Sequence, residues 1–191
     1  KIGNTKRKEY PEIIRYTRQI FIHKLKDFLL TQSDQIFIFA FVSLKMVAYY
    51  GNYVLITGRL TQLFATTLDS IGAGVGNLVA EGNRTKILNV FWELMFVRYL
   101  IAGIIVFSIY HLITPFICLW LGREYILDQL ILVLLLLNLF IMITRGTIDM
   151  FNGAYGNYGD IWAAWTEGGI NLGVTIIAAS FWGISGILLG K

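Results

Sequence analysis

From Tyr99 to Gly122, and again from Gly168 to Gly190, the chain runs without an Asp, Glu, Lys or Arg. Each stretch is longer than the roughly 20 residues that carry a helix across a hydrocarbon core of about 30 Å. Elsewhere apolar runs alternate with short polar breaks, a punctuation that predicts helices near 27–48, 50–80, 87–113, 125–151, 157–180 and 183–191. "EGNRTK" at 81–86 reads as a polar turn, Pro115 as the stop after the third helix, and "NGAYGNYG" at 152–159 as a glycine-rich loop. Gly183 and Gly186 mark a tight corner before the last helix, and Asp34 and Lys45 leave the first helix only a short apolar stretch. No strand alternation runs long enough for a membrane barrel.

The polar residues inside these helices are not scattered. Arg59, Gln62, Thr66, Asp69 and Ala73 are spaced 3, 4, 3 and 4, and Asn52 lies seven before Arg59. That periodicity puts them on one face of a helix about 45 Å long, with Leu60, Phe64, Leu68 and Ile71 on the other. Charge at depth in a bilayer costs several kcal/mol unless it is paired or hydrated. The stripe therefore either locks onto neighbouring helices or faces a water-filled cavity. "GAGVG" (72–76) follows it, with glycines suited to close packing or to a bend.

Further on, Asn138, Arg145 and Asp149 are spaced 7 and 4, so Arg145 and Asp149 form an i,i+4 pair. Glu167 and Asn171 share a face of the fifth helix, beside Gly168 and Gly169. Glu93 and Arg98 are five apart and less clearly on one face, and Asp34 has no basic neighbour in sequence. The polar set gives cavity candidates in Arg59, Gln62, Thr66, Asn138, Arg145 and Asn171. Asp34, Asp69, Asp149 and Glu167 are the candidates for carrying a proton or coupling ion.

Composition agrees with a membrane protein: 56% of the 191 residues are hydrophobic and 15% charged, with a mean hydropathy of +0.64, against roughly 45–50% and about 25% in soluble domains. The net charge of +4 is concentrated at the start. After Pro11, the residues Ile13, Ile14, Thr17, Ile20, Phe21, Leu25 and Phe28 recur at helical spacing with Arg15, Arg18 and Lys26 between them. Residues 1–26 thus read as a linker carrying a basic amphipathic surface helix, and 27–191 as the transmembrane bundle. If residue 1 is cytoplasmic, the inner segments hold Lys1, Lys6, Arg7, Lys8, Arg15, Arg18, Lys24, Lys26, Arg84 and Lys86, and the outer turns only Lys45 and Arg123. This is the asymmetry of the positive-inside rule, and nucleic acid is not an expected partner. Tyr49, Tyr50, Tyr53, Trp92, Trp120, Tyr125, Tyr155, Tyr158, Trp162, Trp165 and Trp182 cluster near helix ends as an interfacial belt.

Several chemistries are missing. "GAGVGN" has Asn77 where a dinucleotide fingerprint needs its last glycine, and no GK[ST] follows. His23 and His111 lack partners at ligand spacing, and the single cysteine, Cys118, excludes an intrachain disulfide. No metal, cofactor or catalytic site is expected, and the chain reads as a non-enzyme. With no Met at the start, no leader-like segment and an apolar end, it is expected to be an internal piece of a larger protein.

The order "LLTQSDQIFI", "YYGNYVLITGRLTQLFATTLDSIGAGVGNLVAEGN", "FICLWLGREYIL", "EGGINLGVTII" and "GISGILLG" resembles the C-terminal half of bacterial polysaccharide (O-antigen type) flippases of the multidrug/oligosaccharidyl-lipid/polysaccharide transporter superfamily, from about residue 24 onward. The resemblance implies an all-α integral membrane fold: one six-helix bundle, its last helix truncated, facing a missing N-terminal bundle. It implies a flippase of the bacterial cytoplasmic membrane that moves lipid-linked oligosaccharide by alternating access, with a cation-coupled multidrug or metabolite antiporter of the same fold as the alternative. On this reading Arg59 contacts the lipid-linked headgroup, Gln62, Asn138 and Asn171 contact sugar or pack, and Asp34, Asp69 and Glu167 couple an ion.

Overall fold

A computed structural model describes residues 11–157 and 161–190. Lys1, Lys6, Arg7, Lys8 and Tyr158, and the side chains of Ile13, Ile14, Arg15, His23, Lys26, Phe28, Trp162 and Trp165, lie outside the described residues. The described chain is helical, without a strand: α1 (Pro11–Phe41), α2 (Leu44–Asp69), α3 (Gly72–Glu81), α4 (Arg84–Trp120), a 3-10 turn at Arg123–Tyr125, α5 (Gln129–Ala154), α6 (Ile161–Trp182) and α7 (Ile184–Leu189). Three segments are long and apolar enough to cross a membrane: α2 with α3, α4, and α5.

Local chemistry sets the boundaries. The first break falls at Val42–Ser43 rather than near 49, because the Ser43 side chain accepts the Met46 N–H at 3.2 Å and caps α2. Lys45 therefore belongs to α2, and α1 runs unbroken across residue 26. Gly82 ends α3 in the left-handed region (φ 72°), and Asn83 caps α4 by accepting from Lys86 N at 3.1 Å. Pro115 does not end α4, which continues to Trp120. Ile113 and Ile117, on either side of it, are both buried in the core, so the helix packs on both sides of the missing N–H.

The helix predicted over 50–80 is interrupted at Ser70–Ile71. Thr66 and Thr67 hydroxyls donate to the carbonyls of Gln62 (2.8 Å) and Leu63 (3.1 Å), and Ser70 donates to Thr67 (2.6 Å). Such back-bonding competes for the carbonyls of the ladder and bends helices. The interruption thus precedes the glycines, and a Cβ at Gly72, Gly74 or Gly76 meets nothing within 4 Å. They make no close packing contact within the described chain.

Helix α5 is the centre of the bundle. Half of its apolar stretch is buried, against 28% for α4 and 17% for α2 with α3. Its residues Leu132, Leu135, Leu136, Leu139 and Ile143 meet Ala102, Ile105, Ile109, Ile113 and Ile117 of α4, Tyr50 and Tyr53 of α2, and Ile184, Ile187 and Leu188 of α7. Tyr50 and Tyr53 thus leave the expected interfacial belt for the core, whereas Trp92, Trp120, Tyr155 and Trp182 are exposed. The α6–α7 corner is as tight as expected: Gly183 has φ +57°, and a Cβ on Gly186 would enter the Ala178 backbone. A second, smaller apolar cluster joins Val75 and Leu78 of α3, Ile87 of α4 and Phe151 of α5, with Phe91 and Phe151 edge to face at 5.2 Å.

Candidate functional site: a polar stripe and a charged layer

The buried face of α2 is Tyr50, Tyr53, Thr57, Thr61 and Leu68; of the apolar side Leu60, Phe64, Leu68 and Ile71, only Leu68 is buried. Threonines suit this seam because they satisfy themselves: Thr57 donates to the Tyr53 carbonyl at 2.9 Å and Thr61 to that of Thr57 at 2.7 Å. A hydroxyl bonded to its own helix is buried at little cost. Phe64 and Ile71 are exposed instead.

With that face inward, the stripe Arg59, Gln62, Thr66 and Asp69 turns outward and is exposed along its length. The Arg59 guanidinium donates to Gln62 Oε1 at 3.3 Å, and the Asn52 amide folds back onto the Ala48 carbonyl at 2.9 Å. From Arg59 to Thr66 no other helix hydrogen-bonds to the stripe's side chains, so among the described residues it is not an interhelical lock.

Asp69 closes the stripe and opens a different environment. Its carboxylate sits at the C-terminal end of α2, where the helix dipole disfavours negative charge, and it accepts from Arg98 Nη2 at 3.1 Å. Arg98 is buried: its side chain is 6% exposed, while that of Asp69 is 65% exposed. The guanidinium also donates to the Ile143 carbonyl of α5 at 3.4 Å. It lies directly on Gly146, where a Cβ would collide with it. The Glu93–Arg98 relation weighed from sequence has no place here. The sequence signal for Arg98 is its position four before Ala102, at the head of the buried seam Ala102, Ile105, Ile109, Ile113 and Ile117.

At nearly the same level of α5, Arg145 pairs with Asp149 (3.5 Å) and with Glu167 of α6 (3.3 Å), all three partly exposed. Asp69, Arg98, Arg145, Asp149 and Glu167 thus form a charged layer across α2, α4, α5 and α6, between the main core and the smaller apolar cluster. Thr147 is within this layer. It is fully buried, and its hydroxyl is the buried side-chain polar atom without a hydrogen-bond partner among the described residues.

No family model, curated protein or solved structure matches the chain.

The remaining candidates are dispersed. The Asn138 amide donates to the Leu188 carbonyl at 2.9 Å and so ties α5 to the last turn of α7. Asn171 is half-buried on α6. Asp34 of α1 is buried and accepts from Tyr50 Oη at 3.3 Å. Among the described residues no group of three His, Cys, Asp or Glu side chains is placed to hold a metal. The candidates therefore occupy five places: the α2 stripe, the charged layer, the Asp34–Tyr50 contact, the α5–α7 contact and, by itself on α6, Asn171.

Proposed function

We propose that this chain is one helical bundle of a bacterial cytoplasmic-membrane transporter that moves lipid-linked oligosaccharide between leaflets by alternating access, without a covalent step. The observation that carries the reading is the exposed stripe of Arg59, Gln62 and Thr66 on a helix long and apolar enough to span. An arginine facing lipid at the helix centre costs about 2.5–3.5 kcal/mol even on the most lenient scales. A stripe that its own bundle leaves uncovered is therefore suited to a hydrated cavity facing a second bundle. There Arg59 would meet the anionic phosphates of the cargo and Gln62 its sugar hydroxyls, a guanidinium fork matching phosphate oxygens in geometry as well as charge. Asn138 and Arg145, held by Leu188 and by two carboxylates, are less suited to cargo than the free-facing part of the stripe.

The antiporter of the same fold is the second reading. It is favoured by Asp34, a carboxylate buried between α1 and α2 against a tyrosine hydroxyl, the type of site that exchanges a proton or cation as helices move. The readings separate on Arg59→Ala in the full-length protein. The flippase predicts that export of the lipid-linked glycan is lost while expression and membrane insertion persist. Normal export in that variant would remove the stripe from cargo handling.

A further inference from the structure

We propose that Arg98 is the seat of a phosphate-binding site at the membrane boundary, in which the Asp69 carboxylate stands in for an oxyanion of a lipid headgroup. The proposal does not depend on what the protein transports.

Three observations converge on Arg98. The first is the asymmetry of its ion pair. A buried guanidinium needs an anion, since an uncompensated charge there is strongly destabilising, but Asp69 has little need of Arg98, being 65% exposed on its side chain. The carboxylate meets the guanidinium through one nitrogen, at 3.1 Å, rather than through the two parallel bonds that make arginine–oxyanion pairs strong. An exposed, singly bonded carboxylate is a replaceable occupant. The second observation is the seat. Gly146 leaves room for the guanidinium that any side chain would fill, and the Ile143 carbonyl orients it. Thr147, one turn beyond Ile143 on the same face of α5, has a buried hydroxyl without a hydrogen-bond partner among the described residues.

The third is depth. Helix α2 has 26 residues, about 39 Å at 1.5 Å each, which exceeds a hydrocarbon core of about 30 Å and approaches the roughly 40–45 Å between headgroup regions. With Leu44 at one boundary, Asp69 reaches the other. Along α4, Arg98 and the exposed Trp120 are about 33 Å apart, again one membrane thickness. The ion pair thus sits where lipid phosphates are concentrated, on the side of the bundle that Asp69 leaves open. A phosphate, with several acceptor oxygens, satisfies the guanidinium fork better than one carboxylate oxygen does. Its arrival frees Asp69 from Arg98 and so releases the contact that ties α2 to α4.

The full chain, purified in detergent, tests this by native mass spectrometry with phosphatidic acid, with a diacylglycerol of the same tails, and with inorganic phosphate. Wild type should retain phosphatidic acid over diacylglycerol. Asp69→Asn, which removes the competing charge, should retain it roughly tenfold more tightly, and Arg98→Gln should lose the preference. Asp149→Asn removes a carboxylate from the exposed Arg145 and should give no gain. The proposal is overturned if Asp69→Asn brings no gain, or if Asp149→Asn brings an equal one. If Arg98→Gln does not fold, the two carboxylate variants decide alone. A gain of the same size with inorganic phosphate in place of lipid would overturn the headgroup as the source and leave free phosphate as the ligand.

Discussion

Arg59 and Arg98 lie on two helices that are each able to cross a membrane, and the fold treats them in opposite ways. Arg59 is exposed, bonded only to Gln62 of its own helix, on a face that no other described helix covers. Arg98 is among the most buried charged groups described, gripped by α2 through Asp69 and by α5 through Ile143 and Gly146. The difference follows from the seam each helix buries. On α2 the inward seam is made of Tyr50, Tyr53, Thr57, Thr61 and Leu68, which leaves the charged stripe outside. On α4 the isoleucine seam, extended one turn toward the N-terminus, carries Arg98 inside. A charge within an apolar helix is thus gripped by neighbouring helices when it continues the buried seam, and left uncovered by its own bundle when it lies off it.

The largest effect that would sharpen this contrast is Arg98→Ala. It removes charge-assisted hydrogen bonds, each worth about 1.5–3 kcal/mol, discounted on the Asp69 side because that carboxylate is solvent-screened. A loss of about 2 kcal/mol is expected, read as a lower unfolding temperature of the full chain in detergent. An unchanged melt would place Arg98 outside the framework. A smaller loss, about 1 kcal/mol, is expected for Gly146→Ala. The added methyl must displace the far end of the Arg98 side chain, which is flexible, so the cost lies at the lower end of the range for overpacking. Combining the two changes tests whether they act on one contact. If Gly146 matters only through the guanidinium, Gly146→Ala costs nothing once Arg98 is alanine.

The helical character of the chain was legible. The charge-free run 99–122 falls largely in a helix long and apolar enough to cross a membrane, whereas the run 168–190 is divided by the corner at Gly183. Turns built on capping residues, such as Gly82–Asn83 and Gly183, were legible from local chemistry. Two kinds of feature were not. One is where a residue stops a helix and where it does not: Ser43 starts α2 inside a predicted helix, while α4 runs on through Pro115, the expected stop, with Ile113 and Ile117 buried on either side. The other is the direction in which a stripe faces. The spacing of Arg59, Gln62, Thr66 and Asp69 fixes their common face but not whether it meets protein. The apolar residues across from them left open lipid or protein, while the side buried in the bundle is the one with the self-bonded threonines. Arg98 was hidden because its significance lies in a partner 29 residues away in sequence and in a glycine on a third helix, and no local spacing connects these.

The smallest expected effect falls on the other arginine. Arg59→Ala should change the stability of the isolated full chain by no more than about 0.5 kcal/mol, the range of surface substitutions away from packed or bonded features. The residue is exposed, its one bond to Gln62 lies three residues along the same helix, and such pairs contribute only about 0.2–0.5 kcal/mol. The measurement is the same detergent melt used for Arg98→Ala, run side by side. A melt that falls as far as that of Arg98→Ala would mean that Arg59 is covered in the assembled protein, by a second bundle or a second copy, and is held there as firmly as Arg98 is in its seat. A flat melt combined with lost export would separate the two arginines in the way the structure divides them, one holding helices together and the other facing what passes between them.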